Sequence, residues 1–448
     1  MQLRNFRGFR GDMIAFEQPG WGNGRRTIED VRGGNDDEFA LKKPGCSDCR
    51  NAGNDVGDAF IELNSAYDCF QQSFQLLSQD AQFKKAKFEL SKAVNTPINA
   101  INDTNVGSLN EAVSKLSDLL NGKSFSMLGA SLPVQNQSIL NRTSQATVTV
   151  NDFPGGRNFS LHLIANKMVK QAEITVSSHP ESAFNLAYVT LCLIARFPEL
   201  RNILLAAIYR SCVFLVPYFP PKHPDMKELA YKRLLGYKVD AEGVVEKHDM
   251  FLKRLSGYAG YFSALLLPLP PRDSGETLTG LSPNRYDKRN EIRRSSPFGM
   301  GMAWALVAGL MHRADDAIAY VDIRATVLQR IIYNCGYHLQ QMYCNQFSKL
   351  LHFLSNTVLP HMEATVASGL LCSDSGGTQA AVARLASCIG EQQYNNLPTG
   401  YERVLDDEDS GFGFEHGWPL QYSGVRTQLG TTTNFQSPLS SSPLRLMK

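Results

Sequence analysis

No apolar run in this 448-residue sequence is long enough to cross a bilayer. Leu200 to Phe219 is interrupted by Arg210 and Pro217, and Tyr258 to Leu269 is too short, so no membrane insertion is expected. Met1 to Phe16 carries Arg4, Arg7 and Arg10 but lacks the apolar centre of a signal peptide, so secretion is not expected either. Excess charge is also missing: 45 Lys and Arg face 43 Asp and Glu, a net +2. That balance excludes a protein that coats nucleic acid through its overall charge. There is no nucleophile elbow, P-loop, HExxH or dinucleotide fingerprint. Cys46 and Cys49 form a lone CxxC with no second pair at zinc-ligand spacing. His338, His352 and His361 have no acidic partner one turn away, and His312, with Asp315 and Asp316 one turn on, has no second such pair beside it in the sequence, so neither a metal centre nor an enzyme is indicated. The nine cysteines are scattered, and Cys192, Cys212, Cys335 and Cys388 sit in apolar helical contexts expected of buried free thiols.

The residues that are present describe a soluble globular chain with tails: 43% hydrophobic and 20% charged residues, with 35 Gly and 21 Pro. Residues 1–57 have almost no aliphatic side chains and cannot bury enough surface to offset their ordering entropy, so they read as disordered. Residues 58–160 read as a helical segment and linker. One helix is expected from Ala59 to Val94, ending before Pro97, and a second from Ser108 to Leu120, closed by Gly122. Residues 161–403 read as the main domain. Its helices are marked by Ser178 with Glu181, by Leu200 to Val216, Met226 to Leu235, Val244 to Leu267 and Gly301 to Met311, by a long pair between Asp315 and Met362 bent at Gly336, and by Gly377 to Ile389. Strand signals are almost absent, which predicts an all-α fold built as a stack of antiparallel helices, without a fixed-period repeat. Residues 268–297 form an inserted surface loop, and residues 404–448 are an acidic, then Gly- and Ser-rich, disordered tail.

One compositional feature stands out. Between Ser160 and Met300 there are 19 Lys and Arg against 13 Asp and Glu, a local excess of six that the rest of the chain offsets. Lys170, Arg210, Lys232 with Arg233, and Lys253 with Arg254 are candidates to converge on a compact polyanion, because charge-assisted bonds from several helices add geometric selectivity. Charge alone favours the plainer reading, a solvated helical surface. No basic platform interleaved with aromatics is visible, so sequence-specific nucleic-acid binding is not expected.

Several dispersed motifs then fall into one order. They are Phe88 to Ile98, Leu119 to Lys123, Lys170-Gln-Ala-Glu173, Ser178 to Phe184, Phe197-Pro-Glu-Leu200, Arg210 to Tyr218, Leu235-Gly-Tyr237, Asp249 to Gly257, Trp304, Cys335-Gly336, Gln346 to Lys349 and Pro398 to Tyr401. Together, from about Lys84 to Arg403, they resemble the C-terminal domain of the Gle-one family of nuclear-pore mRNA export mediators. The resemblance implies a HEAT-like helical domain at the cytoplasmic face of the nuclear pore that stimulates the ATPase cycle of a DEAD-box RNA helicase. It further implies inositol hexakisphosphate as a bridging cofactor, a small FG-containing nucleoporin as a second partner, and roles with translation initiation and termination factors. By position, Lys170, Arg210, Lys253 and Arg254 fall on basic residues of the family motifs. The competing reading is a passive helical scaffold in translation.

Overall fold

The computed structural model describes residues 54–102, 106–127, 146–216, 219, 222, 224–268, 296–312, 320–368 and 375–401. Most of the expected N-terminal segment, nearly all of the 268–297 loop, the 404–448 tail and the Cys46/Cys49 pair lie outside these residues. The described elements are α1 (Asn54–Gln72), α2 (Gln75–Gln79), α3 (Lys84–Asn99), α4 (Val106–Leu120), the two-stranded ladder β1 (Phe125–Met127) with β2 (Ala146–Val148), and α5 (Gly156–Gln171). After a π-helical turn at Ala172–Val176 come α6 (Ser182–Arg196), α7 (Leu200–Ser211), α8 (Glu228–Leu234), α9 (His248–Leu266) and α10 (Met300–His312). The last are α11 (Val321–Tyr343), α12 (Asn345–Phe353), a second π turn at Leu354–Val358, α13 (Leu359–Ala367) and α14 (Ser375–Gly390). The fold is all-α, as expected. No helix among the described residues is long and apolar enough to cross a membrane.

Three helices form the centre. In α6 every residue from Ala183 to Ile194 is buried, and α9 and α11 are buried on most of their circumference. A helix apolar on all sides has to lie inside a stack rather than on it. Buried polar pairs fix its register: the Thr190 and Tyr261 hydroxyls meet at 2.8 Å between α6 and α9, and the Asn334 amide of α11 donates to the Ser263 hydroxyl of α9 at 2.6 Å. Each group finds a partner, so these contacts specify one packing without leaving an unmet donor. One continuous core runs from Tyr67 to Tyr401 and includes Leu90 and Leu116. The stretch expected as a segment and linker ahead of the main domain therefore shares that domain's core.

Several boundaries differ from expectation, each for a local reason. The single helix expected from Ala59 is three, because the Asp80 carboxylate accepts from the Gln82 amide at 2.9 Å and caps a new turn. Helix α3 continues through Pro97, which is buried with Ile98, so tertiary packing outweighs the bond lost at that ring. Helix α5 begins at Gly156, inside the stretch expected as linker, and α6 begins at Ser182 rather than at Ser178, because the π turn is still closing, with His179 N–H donating to Thr175 O at 2.8 Å. Gly122 closes α4 in the left-handed region, at φ 79°. Gly336 does not bend the long helix. It lies buried inside α11, and the break comes at Cys344, at φ 42°.

The reason for Gly336 is proximity: a Cβ there would stand 2.4 Å from Tyr394 Cβ and 3.0 Å from Tyr394 Cα. Ala would add about 1 kcal/mol of helix propensity. Against that, overpacking costs about 1–3 kcal/mol, and here backbone must yield. Gly336→Ala is therefore expected to lower unfolding free energy in urea, and an unchanged or raised midpoint would contradict the close approach.

Candidate functional site

The basic residues gather where α5 ends, where a short hairpin follows α8, and where α9 begins. Gly257 makes the first junction possible, since a Cβ on it would lie 2.3 Å from the carbonyl oxygen of Ala172. Helix α9 thus presses directly on the π turn, and the turn pushes Glu173 toward the hairpin. Such π turns recur at functional sites because they re-aim one side chain. After α8, Gly236 takes φ 90° and the chain folds back, with Val239 bridged to Val245 and Glu246 N–H donating to Lys238 O at 2.9 Å. Asp240 closes the tip by accepting from Val244 N–H at 2.7 Å.

Two carboxylates organise the charges. Glu173 accepts from Lys170 Nζ at 3.0 Å, from Lys238 Nζ and, through its other oxygen, from the Tyr258 hydroxyl at 2.9 Å. Burial alone would raise the Glu173 pKa, but the hydrogen bonds from Lys238, Lys170 and Tyr258 outweigh it and hold the carboxyl below its ordinary range. Glu246 takes the buried Arg254 guanidinium, with Nε at 3.1 Å, and also accepts from Lys238 N–H at 2.7 Å. Arg254 further donates to Gly236 O at 2.9 Å and to the Tyr258 hydroxyl at 3.4 Å. Burial lowers its pKa, yet Glu246 and Tyr258 together raise it above the ordinary value. Burial, with Glu173 beside it, raises the Tyr258 hydroxyl. Arg254 thus donates to Tyr258 and Tyr258 to Glu173, which accepts from two ammonium groups on its other oxygen.

The hairpin base is pinned separately. The Tyr237 ring stacks on Phe251 at 3.9 Å, and its hydroxyl meets His248 Nδ1 at 2.6 Å. His248 Nε2 reaches Asp322 of α11, which also accepts from Thr378 of α14 at 3.2 Å. The Lys232 ammonium lies 4.4 Å from the Tyr237 ring centroid, a cation–π distance.

Of the residues expected from sequence, the fold brings Lys170 and Arg254 into one network, while Lys232 lies on the Tyr237 ring at the hairpin base. Lys253 is exposed, one residue from Arg254 on α9, and makes no ion pair among the described residues. Arg210 lies elsewhere. It donates to Asn64 Oδ1 at 2.7 Å and Asp68 at 2.5 Å in α1 and covers the Tyr67 ring. Lys238, Glu173 and Glu246 escape a reading by sequence. Lys238 lies in a hairpin, outside the helical faces that pair basic residues, and the signal for it is Gly236 and Gly243 around Val239, Val244 and Val245.

The depressed Glu173 pKa fixes a sign. Its stabilisation is complete above the unfolded carboxyl value and is lost as pH falls through the lower folded value. Glu173→Gln is therefore expected to lower the urea midpoint at pH 7, with the gap to the unsubstituted chain closing toward pH 3. A gap independent of pH would contradict the assignment.

The family model for GLE1-like protein matches residues 65–355. The mRNA export factor GLE1 of Rattus norvegicus is 30% identical over 296 residues, 66% of this chain but 37% of that protein, and the Saccharomyces cerevisiae mRNA export factor GLE1 is 24% identical over 230 residues, 51% and 39%. The chain thus spans less than two-fifths of the length of these relatives. A solved structure of the S. cerevisiae Dbp5 C-terminal domain bound to Gle1 and IP6 has a similar fold, with TM-score 0.56 and 19% identity over 77% of this chain and 97% of that one. The match extends over well over half of the chain, and this chain therefore belongs to the GLE1-like protein family.

Proposed function

We propose that this chain is an mRNA export factor that binds a DEAD-box RNA helicase and stimulates its ATPase cycle at the cytoplasmic face of the nuclear pore, with inositol hexakisphosphate bridging the two. The carrying observation is the pair of half-exposed ammonium groups, Lys170 and Lys238, that meet at one carboxylate oxygen of Glu173. Both must lie within a few ångströms of each other, with Lys232 and the exposed Lys253 on adjoining elements. Two lysines on one partly covered carboxylate leave a net positive charge with fixed donors, which suits a compact polyphosphate. Family membership and the partners named for the S. cerevisiae complex support the same reading.

In this reading Lys170, Lys232, Lys238 and Lys253 hold phosphate oxygens. Arg254 does not reach out; it is the positioning residue that fixes Glu246, the hairpin and Tyr258. Arg210 holds α1 against α7, apart from this cluster. When bound, inositol hexakisphosphate supplies negative charge that neutralises the lysines and presents further phosphates to the partner. The chain itself performs no chemistry. Stimulation arises because its surface, with the polyphosphate, binds one arrangement of the helicase's lobes better than the other, shifting the cycle toward product release. A small FG-containing nucleoporin is proposed as a second partner on the same helical unit. Translation initiation and termination factors draw no support from the site.

Adding the full chain with inositol hexakisphosphate to a cognate DEAD-box helicase is expected to raise its ATPase rate; binding without a rate change would instead identify a passive scaffold. In calorimetry, Lys170→Ala/Lys238→Ala/Lys253→Ala is expected to weaken inositol hexakisphosphate binding about a hundredfold, taking about 1 kcal/mol per exposed charge-assisted bond. Equal affinity would remove the lysines from the site.

A further inference from the structure

The last described residue is firmly held. Tyr401 donates its hydroxyl to Pro268 O at 2.9 Å, and its ring packs edge-on against Phe184 and His338. Gly400, at φ 96°, lies so close to Glu181 that a Cβ would stand 2.9 Å from that residue's Cβ. The chain therefore leaves the core beside Glu181. Glu181 comes only eight residues after Glu173, and the intervening backbone is coiled, with Ser178 N–H and His179 N–H both donating to Thr175 O. At helical rise that separation is about 12 Å.

The sequence beyond Tyr401 is complementary to the lysine cluster. Asp406, Asp407, Glu408 and Asp409 are consecutive acids, and no Lys or Arg occurs between Arg403 and Arg426. Extended chain covers about 3.3 Å per residue, so these acids have a reach of roughly 15–25 Å from Tyr401, enough to meet the cluster. Phe412 and Phe414 come next. Two large apolar side chains beside the cluster are unusually bare: Ile174, next to Glu173, is 55% exposed, and Val244, at the tip of the Lys238 hairpin, is 62% exposed. Acids and then aromatics in the tail thus match ammonium groups bordered by apolar side chains on the surface.

We propose that residues 405–414 dock in cis on this patch, the acids on Lys170, Lys238 and Lys253 and the two phenylalanines on Ile174 and Val244, so that the chain occupies its own polyanion site. The docking rests on charge, reach and the apolar border; only its competition with inositol hexakisphosphate rests on the function proposed above. A tethered segment competes at high effective concentration, so an external polyphosphate binds only to the fraction of molecules with the patch open.

Zero-length carbodiimide cross-linking of the full chain, read by mass spectrometry, tests this. Cross-links from Lys170, Lys238 or Lys253 to residues 406–409 are expected, at a yield independent of protein concentration, and inositol hexakisphosphate is expected to suppress them. The variant Asp406→Asn/Asp407→Asn/Glu408→Gln/Asp409→Asn should bind inositol hexakisphosphate about tenfold more tightly in calorimetry, the factor set by a patch closed nine-tenths of the time. Absence of those cross-links, or a yield that rises with concentration, overturns docking in cis, even if the polyphosphate binds well. Cross-links that form but persist in a chain that binds no polyphosphate would uphold the docking and overturn the ligand.

Discussion

Glu173 is the constraint on which the basic site depends. Two ammonium groups brought side by side repel, at about 4 kcal/mol for a 4 Å pair near a protein surface, and neither has a reason to stay without a shared anion. The carboxylate supplies that reason, and the Tyr258 hydroxyl fixes it from below. Three separate stretches of chain are tied at this point: the end of α5, the hairpin after α8, and the second turn of α9 onward. Arg254 performs the matching task one layer deeper, with its charge directed to Glu246 and its remaining donors to Gly236 and Tyr258. Such an arrangement keeps surface lysines aligned before any ligand arrives, which lowers the ordering cost of binding.

Much of the fold can be read from the sequence because apolar periodicity is strong where helices are half buried. Proline and glycine also mark several ends correctly, Gly122 among them. The departures share a physical cause: a local signal meets a tertiary contact that outweighs it. Pro97 is carried inside a helix by the burial of its neighbours, Gly336 serves the approach of Tyr394 rather than a bend, and the turn at Cys344 has no sequence signature because cysteine rarely adopts positive φ. The π turn at Ala172–Val176 is likewise silent in sequence, since it depends on Gly257 eighty residues later.

The site is legible in sequence as charge but not as geometry. Lys170 and Arg254 are both visible as basic residues, yet their roles differ: Lys170 faces solvent, whereas Arg254 is buried and internally paired. Arg210 looks equivalent to both and instead secures α1 through Asn64 and Asp68. A linear count cannot separate these cases, because the distinction between a ligand-facing cation and a structural one is whether an acid has reached it first. The same reasoning gives meaning to the near-neutral total charge. Positive excess in the helical unit is matched by acids elsewhere in the chain, and so a patch of several lysines can exist without making the chain a general nucleic-acid binder.

The most direct test of the central claim is a crystal structure of the full chain with inositol hexakisphosphate. The expected result is phosphate oxygens within hydrogen-bond distance of Lys170 and Lys238, with Arg254 still on Glu246. A polyphosphate seated elsewhere, with the two lysines still closed on Glu173, would contradict the assignment of this cluster as the site.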